Sequence, residues 1–267
     1  MSTGAGWDAG QLAQLLDLAV RAARAAGEEL LRRYGGARLV DLKSSATDPV
    51  SDADRASEAL IQQIVLGERP HDGMIGEEGA QEPSSSGLTW VVDPLDGTVN
   101  YLYQLGTWSV SVAAEDEQGA VVGVVCEPLA NRCFTAIRGG GAWLDGRRIM
   151  VNHPVPLREA LVATGFSYRA EVRARQGELV RMLLPRVRDI RRMGSAALDV
   201  CFVAVGMADA FVQDDLNRWD WAAAALVARE AGGVVTEVSL SGGGPGLLVA
   251  GPGLHQQLHD LLAGLAS

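Results

Sequence analysis

The sequence predicts a layered α/β fold, of the α+β kind, organised as two halves, residues 1–151 and 152–267. Three observations predict it. The chain has 267 residues, enough to bury a large core. Its first half reads as two amphipathic helices followed by short β-branched runs joined by turn residues. Its second half alternates short strands with helices, as a doubly wound layer does.

From Ala9 to Tyr34, Leu12, Leu15, Leu16, Ala19, Val20, Ala23, Leu30 and Leu31 recur at helical spacing, and Gly35-Gly36 stops the pattern. Lys43-Ser44-Ser45 then leads to Asp48-Pro49-Val50-Ser51, after which Ala56, Leu60, Ile61, Ile64 and Val65 mark a second helix. Ser51 is a natural N-cap and Asp54 stands three residues on, so the pair should form a capping box. Met74-Ile75 delivers Glu77 and Glu78 into a loop bounded by Gly76 and Gly79, and Pro83-Ser84-Ser85-Ser86-Gly87 is a loop by composition. Trp90-Val91-Val92 should be a buried strand; Pro94 cannot continue a ladder, so the chain is expected to turn where Asp93 emerges. Ser109–Ala114 and Ala120–Val125 read as a hairpin around Asp116-Glu117-Gln118-Gly119, continued by Phe134–Ile137 and Ala142–Leu144. Asp145-Gly146 is a two-residue hairpin turn.

In the second half Leu161-Val162-Ala163 is a strand with Thr164–Tyr168 as its exit loop, and Gln176–Leu184 is a helix closed by Pro185. Arg192–Leu198 opens a helix that runs to Val205 and stops at Gly206. Ala210–Gln213 is a strand. Asn217–Ala222 begins a helix ended by Gly232-Gly233, with Asp220 in its first turn, where a carboxylate is favoured by the dipole and the free N–H groups. Gly246–Ala250 is a final strand before a terminal helix.

The formal net charge of −10 argues against a general nucleic-acid or anionic-membrane binder. Residues 1–30 carry Asp8, Asp17, Arg21 and Arg24 without a continuous apolar run, so no secretory signal is expected. The longest uncharged stretches, Gly97–Ala114 and Val238–Leu254, are too interrupted to span a membrane. Cys126, Cys133 and Cys201 lack metal-site spacing and fit a reduced, cytoplasmic chain better than a disulfide framework. His71, His153, His255 and His259 sit in no motif, so a His-based nucleophile or zinc site would lack parts.

The chemistry concentrates in Trp90 to Tyr101, WVVDPLDGTVNY. Two carboxylates, Asp93 and Asp96, are held at a strand end beside the turn Gly97-Thr98, whose backbone N–H groups suit an anion. Fixed carboxylates beside amide donors suit a divalent metal with a phosphate attached to it. This string, the preceding Gly76-Glu77-Glu78 and the later Trp219-Asp220-Trp221-Ala222-Ala223 together resemble the inositol monophosphatase family, within the lithium-sensitive, magnesium-dependent phosphatases that include fructose-1,6-bisphosphatases. The three motifs stand in the family's order, between residues 76 and 223.

The resemblance implies a layered αβαβα sandwich, a cytoplasmic homodimer, and hydrolysis of a small phosphate monoester with two or three Mg²⁺ ions, Mn²⁺ being the alternative. It implies that Glu77, Asp93 and the Leu95 carbonyl hold one ion, with a third, weaker ion near Glu77, and that Asp93, Asp96 and Asp220 hold another. It further implies that Thr98 and Asp54 orient a water activated at the Glu77 side, that Gly97 and Thr98 amides cradle the phosphate, and that Lys43 lies in a segment near the site. By position Gly194, Ser195, Ala196 and Gln213 should line the alcohol pocket; Gln213 stands where many members carry Glu, and an amide offers one acceptor where a carboxylate offers two. Myo-inositol 1-phosphate is the expected substrate, with histidinol phosphate and fructose 1,6-bisphosphate as alternatives. A reading of another class is an RNA- or transcription-associated binding factor, since one bacterial relative serves in ribosomal RNA transcription and residues 169–192 carry eight arginines against Glu171, Glu178 and Asp189.

Overall fold

The computed structural model describes residues 6–36, 39–42, 49–240 and 244–263. Lys43, Ser44, Ser45 and Asp48 lie outside the described residues. The first half opens with helix α1 (Ala9–Arg33), capped by Asp8, whose side chain accepts from Gln11 N. A short antiparallel pair, β1 (Leu39–Leu42) and β2 (Pro49–Ser51), leads into α2 (Asp52–Glu68). Then come β3 (Gly73–Gly76), β4 (Gln81–Glu82), β5 (Thr89–Asp96), the five-residue helix α3 (Thr98–Leu102), β6 (Ser109–Asp116), β7 (Gly119–Glu127), β8 (Arg132–Ile137), β9 (Gly141–Leu144) and β10 (Arg147–Arg148). These strands, β3 to β10, build an eight-stranded sheet in the order β10-β9-β8-β7-β6-β5-β3-β4, antiparallel throughout except for the β3/β5 pair.

The second half follows as β11 (Leu161–Ala163), α4 (Ala170–Leu183), β12 (Asp189–Arg191), α5 (Ala196–Ala204), β13 (Ala210–Gln213), α6 (Ala222–Glu230), β14 (Val234–Val238), β15 (Gly246–Ala250) and α7 (Pro252–Ala263). The five-stranded sheet has the order β12-β11-β13-β15-β14. Only its β12-β11-β13 portion is parallel. The doubly wound expectation therefore holds for part of the sheet, and its edge strands were not read: β12 is three residues with one apolar side chain, and β14, although it carries Val234, Val235 and Val238, follows directly on the Gly232-Gly233 stop and is only partly buried.

Side-chain alternation along the strands distributes the core into three slabs. Trp90 and Val92 of β5 and Val110 and Val112 of β6 face Leu15, Leu30 and Ile61 of α1 and α2. Val91, Ala113 and Phe134 face the other way, onto α5 and α6, whose far side meets Phe211, Leu247 and Val249 of the second sheet. Ala210, Val212 and Leu248 point outward onto Leu179 and Leu183 of α4 and Leu254 and Leu258 of α7. The layers are thus helices, sheet, helices, sheet, helices, the expected αβαβα sandwich. Each fully buried Val, Leu or Phe contributes roughly 1.5–3 kcal/mol, so losing one face of either sheet would unfold its slab. Among the described residues no helix is long and apolar enough to cross a membrane.

Several boundaries differ from expectation. Strand β5 does not end at Pro94: Asp93 pairs with Ser111 and Asp96 with Ser109, so three steps on β5 match two on β6, and a bulge absorbs the proline. Helix α4 starts at Ala170, one and a half turns before Gln176. Helix α5 starts only at Ala196, because Gly194 is left-handed (φ 100°) and Ser195 is the extended N-cap. Cys126 and Cys133 form a disulfide, contrary to the reduced-thiol reading: the β7/β8 register sets them opposite each other, a pairing that no sequence spacing announces. Cys201 is a buried free thiol.

Candidate active site

The β5 bulge sets the site. It projects Asp93 and Asp96 to one end of the sheet, and Leu95 N donates to Asp93 Oδ1 at 3.0 Å. Ser57 Oγ of α2 donates to the Pro94 carbonyl at 2.8 Å, which fixes the bulge against the helix. Gly97 is left-handed (φ 98°), and a Cβ there would sit 3.1 Å from Thr107 O and 3.2 Å from Gly194 O, so only glycine fits. The chain then turns into α3. Thr98 Oγ1 is placed to donate to Asp54 Oδ1 at 3.0 Å or to Leu95 O at 3.1 Å. Asp54 accepts on its other oxygen from Ser51 N at 2.8 Å and Ser51 Oγ at 2.5 Å, so it completes the capping box and still reaches Thr98.

The parallel pairing of β3 with β5 sets Gly76 beside Val92, and Glu77 N donates to Val92 O at 3.2 Å. Glu58, buried on α2, shapes this loop: its carboxylate accepts from Glu78 N at 2.9 Å and Ala80 N at 3.0 Å. A Cβ on Gly76 would fall 2.2 Å from Glu58 Oε2. Glu58 escaped the sequence reading, although an acid in the buried stripe Ala53, Ser57, Glu58, Ile61 and Val65 of α2 is the signal that could have found it.

The second half supplies the opposite wall. Asp96 Oδ2 accepts from Ser195 Oγ at 2.6 Å and from Ala197 N at 2.7 Å, at the start of α5, where the helix dipole favours a carboxylate. Asp220 precedes α6 instead of lying in its first turn, and its Oδ2 accepts from Asn217 N at 2.6 Å, closing the turn that leads to the helix. The expected capping role gives way to a turn-closing one.

Glu77, Asp93, Leu95, Asp96 and Asp220 line one cavity of about 320 Å³, together with Gly97, Thr98, Gly194, Ser195, Ala196 and Gln213. Asp54 stands behind, reached through Thr98. The sequence reading did not assign Phe166, Arg169, Arg192, Asp199, Asp215 or Asn217, which also line it. The Ser195 hydroxyl, expected to face substrate, is engaged with Asp96.

Burial pushes the Asp93 carboxyl well above its usual range, and the charges of Glu77, Asp96 and Asp220 push it further. Burial lifts Asp96 to about 6 against the opposing hydrogen bonds from Ser195 and Ala197. A set of mutually repelling oxygen donors around the buried Asp93, with Glu77, Asp96 and Asp220 partly buried, fits a hard divalent cation, which would neutralise the charge that protonation otherwise removes. Among the described residues, however, no three Asp, Glu, His or Cys side chains are already gathered to hold a metal. Asp96 accepts from Ser195 and Ala197, and Asp220 from Asn217, on Oδ2.

Asp199 on α5 is 1 % exposed, and its Oδ1 has no hydrogen-bond partner. Burial, then the charge of Asp96, raises its carboxyl to about 8, with Arg192 pulling the other way. The folded value lies above the unfolded one, so its contribution is full below the ordinary carboxylate range and is lost as pH rises towards 8, at about 1.4 kcal/mol per pH unit. Asp199→Asn is expected to flatten the fall in melting temperature between pH 5 and pH 8 relative to the unsubstituted chain. Parallel melting curves for the two proteins would show that Asp199 is ionised throughout.

The profile of the inositol monophosphatase family matches residues 11–267. The chain is 41 % identical over 250 residues to the inositol-1-monophosphatase of Mycobacterium leprae, covering 89 % of this chain and 85 % of that protein. It is 38 % identical over 226 residues to Nus factor SuhB of Escherichia coli, covering 84 % and 85 %. A solved structure of a Thermotoga maritima IMPase superposes with a TM-score of 0.85 at 30 % identity, covering 95 % of this chain and 98 % of that one.

Proposed function

We propose that this chain, which belongs to the inositol monophosphatase family and is a phosphoric monoester hydrolase, converts myo-inositol 1-phosphate to myo-inositol and phosphate with Mg²⁺. The observation that carries the reading is the convergence of Glu77, Asp93, Asp96 and Asp220, from three separated motifs, on one cavity lined by Thr98, with Asp54 behind it. Glu77, Asp93 and the Leu95 carbonyl would hold one Mg²⁺, and Asp93, Asp96 and Asp220 a second. Such ions neutralise the phosphoryl charge and ease departure of the alkoxide. The third, weaker ion near Glu77, lithium sensitivity and a cytoplasmic homodimer belong to the same reading and rest on family membership alone.

The residues of the chain supply the rest. Thr98 Oγ1 donates its proton to Asp54 Oδ1, which leaves a hydroxyl lone pair to accept a hydrogen from the attacking water. Asp54 then stands one hydrogen bond away to receive a proton. Gly97 and Thr98 N–H groups donate to the phosphate oxygens, as backbone amides at a glycine turn can. Residues 1–151 contribute the metal-binding acids except Asp220, and residues 152–267 contribute Asp220 and the alcohol pocket with Gly194, Ala196 and Gln213.

A binding role like that in the name of the Escherichia coli relative draws little support from the arginine-rich segment. Six of its eight arginines are engaged: Arg169 by Asp215, Arg173 by Ser167 O, Arg181 by Glu178, Arg186 by Met182 O, Arg188 by Glu159 O and Arg191 by Asp189. The deciding experiment is an assay of myo-inositol 1-phosphate, histidinol phosphate and fructose 1,6-bisphosphate with Mg²⁺. The inositol ester is expected to give the highest kcat/KM, with activity lost in EDTA and reduced by lithium. Full activity in EDTA would remove the metal assignment, and a preference for either other ester would remove the substrate.

A further inference from the structure

Among the described residues that line the cavity, Asp215 alone is a non-glycine with left-handed backbone (φ 64°). It stands two residues beyond Gln213, in the loop that carries Asp220. Its carboxylate gathers donors from two other segments. Ser167 Oγ donates to Oδ2 at 2.5 Å, Arg169 donates through Nε to Oδ2 at 3.4 Å and through Nη2 to Oδ1, and Gly244 N donates to Oδ1 at 3.1 Å. Backbone bonds from Asp215 N to Gly244 O (3.3 Å) and from Leu216 N to Pro245 O (2.8 Å) run beside them. Gln176 of α4, 2 % exposed, braces the cluster: its Oε1 accepts from Ser167 N at 2.7 Å and its Nε2 donates to Asp214 Oδ1 at 2.8 Å.

We propose that Asp215 is a positioning residue for specificity. By clasping the exit loop of β11 and the Gly244–Gly246 turn to the Asp220 loop, it sets the shape of the alcohol half of the cavity and favours hydroxyl-rich polyol phosphates over flat aryl phosphates. The inference rests on the phosphatase reading above. Two chemical consequences accompany it. The Ser167 hydroxyl proton is committed to Asp215, so Ser167 cannot donate it to a substrate hydroxyl while the clasp is closed. Arg169 is neutralised by Asp215, so this wall does not reward a second anionic group on the substrate.

Asp215→Gly keeps the left-handed backbone and removes the carboxylate, while Asp215→Asn tolerates the same backbone and keeps one acceptor. The experiment measures kcat/KM with Mg²⁺ for myo-inositol 1-phosphate and p-nitrophenyl phosphate, with melting curves on each protein. The ratio of inositol to aryl ester is expected to fall about tenfold in Asp215→Gly, mainly through KM, and by less in Asp215→Asn. Arg169→Gln opens the clasp from its exposed side and should move the ratio the same way by roughly threefold, which decides the matter if the glycine variant fails to fold. An unchanged ratio in folded variants overturns the clasp and leaves the phosphatase reading standing. An unsubstituted chain that hydrolyses neither ester overturns both.

Discussion

Asp93→Asn is expected to lower turnover by about 10³-fold while raising the melting temperature of the metal-free protein. The two effects share one cause. Asp93 is 1 % exposed and is held above its ordinary protonation range by burial and by the charges of Glu77, Asp96 and Asp220. An isosteric amide keeps the oxygen that accepts from Leu95 N and removes the cost of holding that carboxyl protonated, or charged, among the other acids, which stabilises the apo fold. It also removes the carboxylate assigned to both Mg²⁺ ions, and the several kcal/mol of transition-state neutralisation that such ions supply correspond to about 10³ in rate. Relief of about 1–2 kcal/mol would raise the melting temperature by roughly 5 °C in a domain of this size. Melts in EDTA and initial rates with Mg²⁺ measure both. A lower melting temperature would mean that the four acids do not oppose one another.

Thr98→Ala is expected to lower kcat by roughly 10²–10³ with KM changed less than about threefold, the pattern of a group that acts on the attacking water and not on ground-state binding. The fold should survive, because Asp54 keeps both Ser51 donors on its other oxygen and the backbone of α3 is untouched. Thr98→Ser retains the hydroxyl and should recover most of the rate. A serine variant as slow as alanine would assign the loss to packing of the Thr98 methyl, and a change confined to KM would make Thr98 a phosphate ligand only.

What the sequence disclosed and what it withheld follow from the range of the interactions. Period-two alternation and turn chemistry are local, so β6 to β9 were legible, as was the Asp145-Gly146 turn, whose two residues are both left-handed (φ 48° and 78°). The Ser51–Asp54 box spans one helical turn and was legible for the same reason. The acids of the site were legible through a motif string and its resemblance, not through periodicity. Glu58 was missed because its targets lie 20 and 22 residues away, and the Asp215–Arg169 pair because 46 residues separate its members. The bulge at Pro94 depends on how β6 registers beside β5, and Cys126–Cys133 on how β8 registers beside β7; neither register is written in one strand alone.

Asp96 is a residue of β5, yet the groups that aim its carboxylate, Ser195 Oγ and Ala197 N, lie 99 and 101 residues further along the chain. At about 5–20 residues per second, a ribosome needs roughly 5–20 s to extend the chain from one to the other. During that interval the emerged sheet carries Asp93 and Asp96 without the helix start that orients the second of them. A nascent chain therefore cannot complete the cavity until its C-terminal layer has been made, and a chain truncated before Ser195 would lack Gln213 and Asp220 as well as the two groups that aim Asp96.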